Sequence, residues 1–176
     1  MDELTLRFRP LEPADLRLMH EWLQRPHVKR WWRDRETYEE VVEHYLPSIE
    51  GDEPTDHYLA LLGEEPIGYV ETYLVSDYPD YAALIGVAEG VAGVDLFIAD
   101  EALTGQGLGT EILRRFVDEV VFGTPSTMSC VADPAALNVA SRRAFEKAGF
   151  HVVKEFIEDG EPHTLVRRDS ESHRKP

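Results

Sequence analysis

The feature that most narrows the fold is a strand that empties through three alternate glycines into a helix. Val94 to Ala99 is apolar and strand-like, the run Leu103-Thr104-Gly105-Gln106-Gly107-Leu108-Gly109-Thr110 follows, and Thr110 to Val121 has helical spacing. Bare glycine backbone where a helix begins leaves the first N–H groups and the positive end of the helix dipole open to an anion. The turn therefore reads as a phosphate site, with a plain tight connection at Gly105, Gly107 and Gly109 as the alternative. Two standard phosphate loops do not fit it. No Gly-Lys-Ser/Thr ending follows, and a G-x-G-x-x-G fingerprint begun at Gly107 would need Gly or Ala where the chain has Ile112.

The 176 residues suffice for one sizeable core, and a single domain is expected over residues 1–168, with a polar, disordered tail over 169–176. No apolar run approaches the length of a membrane span, and the first ten residues lack the basic flank and apolar stretch of a secretory signal. One cysteine, Cys130, excludes an internal disulfide and fits a reducing compartment, so a cytoplasmic location is expected. Cys130 sits in the apolar run Met128 to Ala132, where it reads as a small buried residue rather than a nucleophile. The seven histidines follow no metal-ligand spacing, and no metal is expected.

Periodicity orders the elements. Leu4, Leu6 and Phe8 alternate as on a half-buried strand, and Leu16, Met19 and Leu23 mark a helix from Ala14 to Gln24 with Pro13 in its first turn. The segment Pro26 to Arg35 carries Trp31 and Trp32 among basic residues. Thr37 and Glu40 form a capping box opening a helix to about Leu46. His57–Leu62 and Ile67–Val75 read as two strands around a Gly63-Glu64-Glu65-Pro66 turn, and Ser76 to Gly93 reads as a loop or interrupted strand. A strand at Met128 to Asp133 follows the glycine helix. Next come a helix from Asn138 to Ala148 stopped by Gly149, and a hairpin of Phe150–Phe156 and His163–Arg168 turned at Glu158-Asp159-Gly160. Strands interleaved with helices in this way argue for a mixed α/β (α+β) sheet with helices on both faces.

The net charge of −16 is unevenly spread. Glu36 to Leu113 holds 18 acidic residues and no Lys or Arg, whereas residues 114–176 are balanced at ten of each sign. Nucleic acid is disfavoured as a partner and a cationic one favoured. General solubility is the competing explanation, but it would acidify the whole surface.

Two motifs together resemble the GNAT-fold N-acetyltransferases: the strand–Gln106-Gly107-Leu108-Gly109–helix unit, and Asn138 followed by Gly149-Phe150. The resemblance implies a central twisted, mostly antiparallel sheet of six to seven strands with a splayed strand pair. It also implies acetyl-CoA as co-substrate, its pyrophosphate on the amides of Gly105, Gln106, Gly107, Leu108, Gly109 and Thr110. Asn138 and Ser141 would then lie beside the pantetheine arm. Thr104 stands where the family has Gln or Arg. Further segments are similar to the aminoglycoside 6′-N-acetyltransferases: Glu21 to Val28, Trp31-Trp32, Tyr45 to Ser48, Gly63 to Tyr69, Gly93-Val94-Asp95 and Asp133-Pro134. That likeness implies acetylation of the 6′-amine of an antibiotic, and hence resistance. Acylation of a siderophore precursor or another polyamine stays open, as does an inactive acyl-CoA-binding sensor.

Acetyl transfer to an amine needs a carboxylate to bind the incoming ammonium and remove a proton, and a donor for the developing oxyanion. Asp95 is the candidate base: it sits in an apolar strand, where a carboxylate is costly to bury unpaired, and that strand leads into the glycine turn. A solvent-facing Asp is the alternative. The oxyanion donor is expected from the backbone near Phe97 or Ile98. A tyrosine seven residues after Asn138, common in the family, is here Phe145, so that hydroxyl is missing. For the acceptor, Asp133, Glu71, Tyr73, Asp77 and Asp80 are candidates beside Asp95, by charge pairing and stacking, with Trp31 and Trp32 as walls. At least one of the tryptophans is expected in the core. The protein is expected to act as a monomer or homodimer.

Overall fold

The computed structural model describes residues 5–33, 37–87 and 89–173. Leu4, the segment 34–36, Ala88 and the last three residues, all touched by the readings above, lie outside the described residues. Seven strands form one sheet in the order β1-β2-β3-β4-β5-β7-β6, with β1 Leu6–Pro10, β2 Thr55–Leu62, β3 Glu65–Leu74, β4 Val91–Ile98, β5 Ser129–Ala132, β6 His151–Glu158 and β7 Glu161–Asp169. The pairs β1·β2, β5·β7 and β6·β7 are antiparallel, and β4·β5 is parallel. The helices are α1 Leu16–Leu23, α2 Pro26–Lys29, α3 Tyr38–Ile49, α4 Pro79–Ile85, α5 Leu108–Phe116 and α6 Val139–Lys147.

The chain divides into two compact units. One takes in Met1–Glu71 and Leu96–Thr104, the other Thr72–Asp95 and Gly105–Pro176. In the first, α1 buries Leu16, Met19, Trp22 and Leu23 at helical spacing, and these pack with Val41 and Tyr45 of α3, Leu59 and Leu61 of β2, Tyr69 of β3 and Phe97 of β4. Helix α3 opens with the expected capping box: Glu40 N–H donates to Thr37 Oγ1 at 3.2 Å, and Thr37 N–H to Glu40 Oε2 at 3.0 Å. It runs past Leu46 because Pro47 falls in the last turn, where Glu50 N–H still reaches Leu46 O at 2.9 Å. In the second unit Val75, Ile85, Val91, Val131 and Leu165 form a separate core, flanked by Tyr73, Tyr81 and Phe156.

Two expectations need correction. Ser76 to Gly93 is not a loop or broken strand; it contains α4, with Pro79 at its first position and Gly86 closing it at φ +71°. Proline at the start and a left-handed glycine just past the end form a local helix signal that the helix's shortness, among flanking Asp, Tyr and Gly, hid. Order also continues past Asp169. Ser170 is buried, its N–H donates to Met128 O at 2.9 Å, and a 3-10 turn spans Glu171–His173.

Strands β4 and β5 pair only over Val91–Gly93 against Ser129–Val131. Among the described residues the ladder ends there, and β4 runs on through Asp95. Gly93 is required at that point: a Cβ built on it would lie 2.3 Å from the Tyr73 ring. Gly68 serves β3 in the same way, since a Cβ there would meet Phe97 O at 2.6 Å.

Candidate active site

The glycine turn has the geometry of an anion cradle. Gly105 and Gly107 adopt φ of +72° and +82°, and a Cβ on either would meet no atom within 4 Å. Gly107 is the N-cap of α5, and no side chain caps the helix there. Bare, uncapped backbone thus opens α5, the local arrangement on which a pyrophosphate can sit. The helix starts at Leu108, two residues before the expected Thr110. Thr104, at the family's Gln/Arg position, donates its hydroxyl to Glu101 O at 2.7 Å. Asn138 is the N-cap of α6: its Oδ1 accepts from Ser141 N–H at 3.2 Å, which ties the two residues together. Phe145 is buried edge-to-face on Phe150, with ring centroids 5.1 Å apart.

In the second unit the structure gathers Tyr73, Asp95 and Asp133 around a residue the sequence had only grouped with its loop, Tyr81. Helix α4 presents Tyr81, whose hydroxyl donates to Asp133 Oδ1 at 2.8 Å. Burial, with the charges of Asp133 and Asp95, holds the Tyr81 hydroxyl far above its ordinary range, while a hydrogen bond with Tyr73 pulls it back. It stays a neutral donor. The Tyr73 ring meets Tyr78 edge-on at 5.3 Å and Tyr81 at 6.2 Å. Asp133 is pushed up to about 6, mainly by burial and further by Glu158, while the Tyr81 hydrogen bond and His163 oppose the shift. Burial likewise pushes the Cys130 thiol up, which keeps it protonated and unreactive.

Asp77 and Asp80, with Tyr78, Pro79, Tyr81 and Leu84, line a cavity of 580 Å³ closed from the other side by Ile157, Glu158 and Asp159. Four carboxylates thus edge one cavity with no basic residue in its lining. The sequence reading missed Glu158 and Asp159, which it took only as a hairpin turn, and His163, whose Nδ1 donates to Asp133 O at 2.8 Å. Only strand pairing places those residues there, and no periodicity reports it.

In the first unit Glu71 accepts from the Tyr69 hydroxyl, and His57 Nδ1 lies 2.5 Å from that hydroxyl and 3.3 Å from Glu71 Oε2. His57 Nε2 is buried without a hydrogen-bond partner. Trp32, half-buried, packs edge-on against the core at Tyr69 and Phe97, at 5.7 and 5.2 Å, whereas Trp31 has the Arg30 guanidinium 4.9 Å above its ring. Phe97 is itself a core side chain, so only its backbone is available to a ligand. Ile98 O accepts from His27 Nε2 at 2.9 Å.

Among the described residues no helix is long and apolar enough to cross a membrane. The family model described as an acetyltransferase (GNAT) domain matches residues 12–157. The aminoglycoside N(6′)-acetyltransferase type 1 of Klebsiella pneumoniae is 37% identical over 152 residues, 85% of this chain and 74% of that protein. The solved structure of AAC(6′)-Ib in complex with parmomycin and acetyl-CoA superimposes with a TM-score of 0.86 at 32% identity, over 94% of this chain and 93% of that one. The lysine N-acyltransferase MbtK of Mycobacterium tuberculosis is more distant, at 28% identity over 80% of this chain and 66% of its own length. The chain belongs to the GNAT acetyltransferase family.

Proposed function

We propose that this protein transfers the acetyl group of acetyl-CoA to the 6′-amine of an aminoglycoside. The observation that carries the reading is the cavity of four carboxylates and two tyrosines adjoining the Tyr81–Asp133 pair. It occurs in a chain similar over most of its length to an aminoglycoside N(6′)-acetyltransferase. An aminoglycoside carries several ammonium groups on sugar rings. Asp77, Asp80 and Asp133 supply charges to pair with them, and Tyr73 supplies an aromatic face. Trp31, Trp32 and Glu71 are further proposed acceptor residues.

The amine arrives protonated and cannot attack. Asp95 accepts its proton, directly or through a water, and the nitrogen lone pair then adds to the thioester carbon. Backbone N–H groups around Phe97 and Ile98 meet the charge that moves onto the carbonyl oxygen. Collapse breaks the C–S bond, the coenzyme leaves as a thiolate, and the extra proton still on the attacking nitrogen passes through water to that thiolate, leaving a neutral amide. An ordinary thiol pKa of roughly 8.5 makes that departure feasible without an acid, consistent with the absence of a hydroxyl at Phe145. The amides from Gly105 to Thr110 hold the pyrophosphate, and Asn138 and Ser141 flank the pantetheine arm. Transfer is direct, within a ternary complex. The neutral amide formed removes one positive charge and hydrogen-bond donors from the product.

Thiol release from acetyl-CoA tests this with kanamycin, tobramycin, a diamine and hydroxylysine side by side. Turnover of the aminoglycosides is expected, and Asp95→Asn is expected to abolish most of it while acetyl-CoA still binds. Turnover of another amine with none of the aminoglycosides would overturn the acceptor assignment; for hydroxylysine it would favour acylation of a siderophore precursor.

A further inference from the structure

Three side chains of the first unit form a chain of hydrogen bonds that ends on a carboxylate. His57 lies in β2 with its side chain only 3% exposed, and Tyr69 and Glu71 lie two residues apart in β3. An ionised carboxylate can only accept, so the single proton of the Tyr69 hydroxyl goes to Glu71 Oε2. With that proton committed, the same hydroxyl can only accept from His57 Nδ1, 2.5 Å away. Glu71 Oε2, 3.3 Å from Nδ1, requires the proton at the same place. The far side of the ring agrees. His57 Nε2 is buried without a partner, and a proton there would make an N–H with no acceptor. The donors therefore run one way, from His57 Nδ1 to Tyr69 Oη to Glu71 Oε2.

Little in this chain is free to turn. The Tyr69 ring is fully buried and stacks on His57 at 5.9 Å with planes 25° apart, and Tyr45 meets His57 edge-on at 5.1 Å. Glu71 differs: its side chain is 15% exposed, so it is held from inside and open to a ligand from outside. Both contacts fall on Oε2, and Oε1 is left to meet an ammonium. Alternation along β3 sets Glu71 on the face of the strand that also carries Tyr69 and Tyr73, the latter proposed above as the aromatic face for the acceptor. We infer that His57 and Tyr69 are positioning residues for the amine acceptor, fixing the direction of the Glu71 carboxylate so that an ammonium meets a charge already in place. They act on the acceptor only through Glu71. The assignment rests on the proposed function in taking Glu71 as an acceptor residue; the direction of the hydrogen bonds does not.

Two measurements on the full chain test it. The first needs no substrate. The NMR shifts of the ring nitrogens, assigned by loss of signal in His57→Asn, should show His57 with its proton on Nδ1; a ring protonated on Nε2 alone overturns the chain of donors. The second is a cycle of wild type, Tyr69→Phe, Glu71→Gln and the double variant in the thiol-release assay, with kanamycin and with putrescine, each protein checked for native circular dichroism. Tyr69→Phe keeps the buried ring and removes one hydrogen bond, which should raise the KM for the amine about fivefold and leave kcat and the KM for acetyl-CoA unchanged. In the Glu71→Gln background the same change should add less than about twofold. His57→Leu should also raise the KM for the amine, and His57→Asn, whose amide N–H can stand in for Nδ1–H, should recover most of the loss. Should His57→Leu fail to fold, the Tyr69–Glu71 cycle decides alone. An unchanged KM in folded Tyr69→Phe, a rise shared with acetyl-CoA, or full additivity with Glu71→Gln would show a packing role and overturn the inference. Turnover of putrescine and not of kanamycin, with the KM for putrescine moving as stated, would remove the aminoglycoside and keep the positioning role.

Discussion

Gly93→Ala is the sharpest perturbation the fold offers, because one methyl group strikes one side chain. A Cβ at Gly93 would lie 2.3, 2.5 and 2.6 Å from Cζ, Cε2 and Oη of Tyr73. Those distances are far inside contact, so the ring must swing off the strand. Leaving, it loses the edge-on packing with Tyr78, worth about 0.5–1.5 kcal/mol, and the hydrogen bond with Tyr81, worth about 0.5–1.5 kcal/mol. Gly93 has ordinary extended backbone, so alanine brings back about 0.4–1 kcal/mol by restricting the unfolded chain. The net expectation is a loss of about 1–2 kcal/mol, or roughly 2–8 °C in Tm for a domain of this size. Denaturant unfolding of four proteins measures it: wild type, Gly93→Ala, Tyr73→Ala and the double variant. With the ring already absent, the added methyl should be neutral or slightly stabilising, which gives a coupling energy above 1 kcal/mol. In the thiol-release assay the single variant should raise the KM for the amine and leave that for acetyl-CoA unchanged. Equal destabilisation by Gly93→Ala with and without the Tyr73 ring would refute the reasoning, since the ring would then not be what the glycine accommodates.

Tyr81→Phe removes the hydrogen bond that holds Asp133 in its charged form, so the Asp133 pKa should rise from about 6. Asp133 binds an ammonium only as a carboxylate, and the acid limb of kcat/KM for the amine should move to higher pH; an unmoved limb would remove Asp133 from acceptor binding. Gly107→Ala meets no clash but must hold φ near +82°, costing about 1–2 kcal/mol, and should weaken acetyl-CoA several-fold while sparing the amine; unchanged acetyl-CoA binding would argue against the cradle. Asp15 is opposed by burial but held below its ordinary 3.8 by Arg9 and the Glu12 N–H. Its folded-state pKa is depressed, so its stabilisation is present above that ordinary value and is lost as pH falls through the depressed one. Asp15→Asn should cost about 1 kcal/mol at neutral pH, and the gap from wild type should close in acid titration.

What could be read from the residues was what is decided within a few positions of them. The Thr37–Glu40 capping box, the apolar stripe of Leu16, Met19 and Leu23, and the glycine turn before α5 are all local, and each appears where its side chains require. Helix α4 was equally local, with Pro79 and Gly86 at its ends, but its seven residues, PDYAALI, are too few to repeat an apolar stripe, and the Asp, Tyr and Gly around them read as a loop. The acceptor side was different in kind. Asp133, Glu158 and His163 are joined by the antiparallel ladders β5·β7 and β6·β7, in which Ala132 faces Val166 and Phe156 faces His163. Register of that sort is set by distant pairing, so Glu158 and Asp159 could be read only as a turn. The same pairing explains why Tyr81, a loop tyrosine by composition, becomes the hub: burial within the second unit's core turns its hydroxyl into a fixed donor, and the carboxylates gather around a group that cannot itself ionise. A cationic acceptor is then met by charges whose spacing is set by one buried phenol, so changes at Tyr81 should alter acceptor selectivity more than changes at the exposed Asp77 or Asp80.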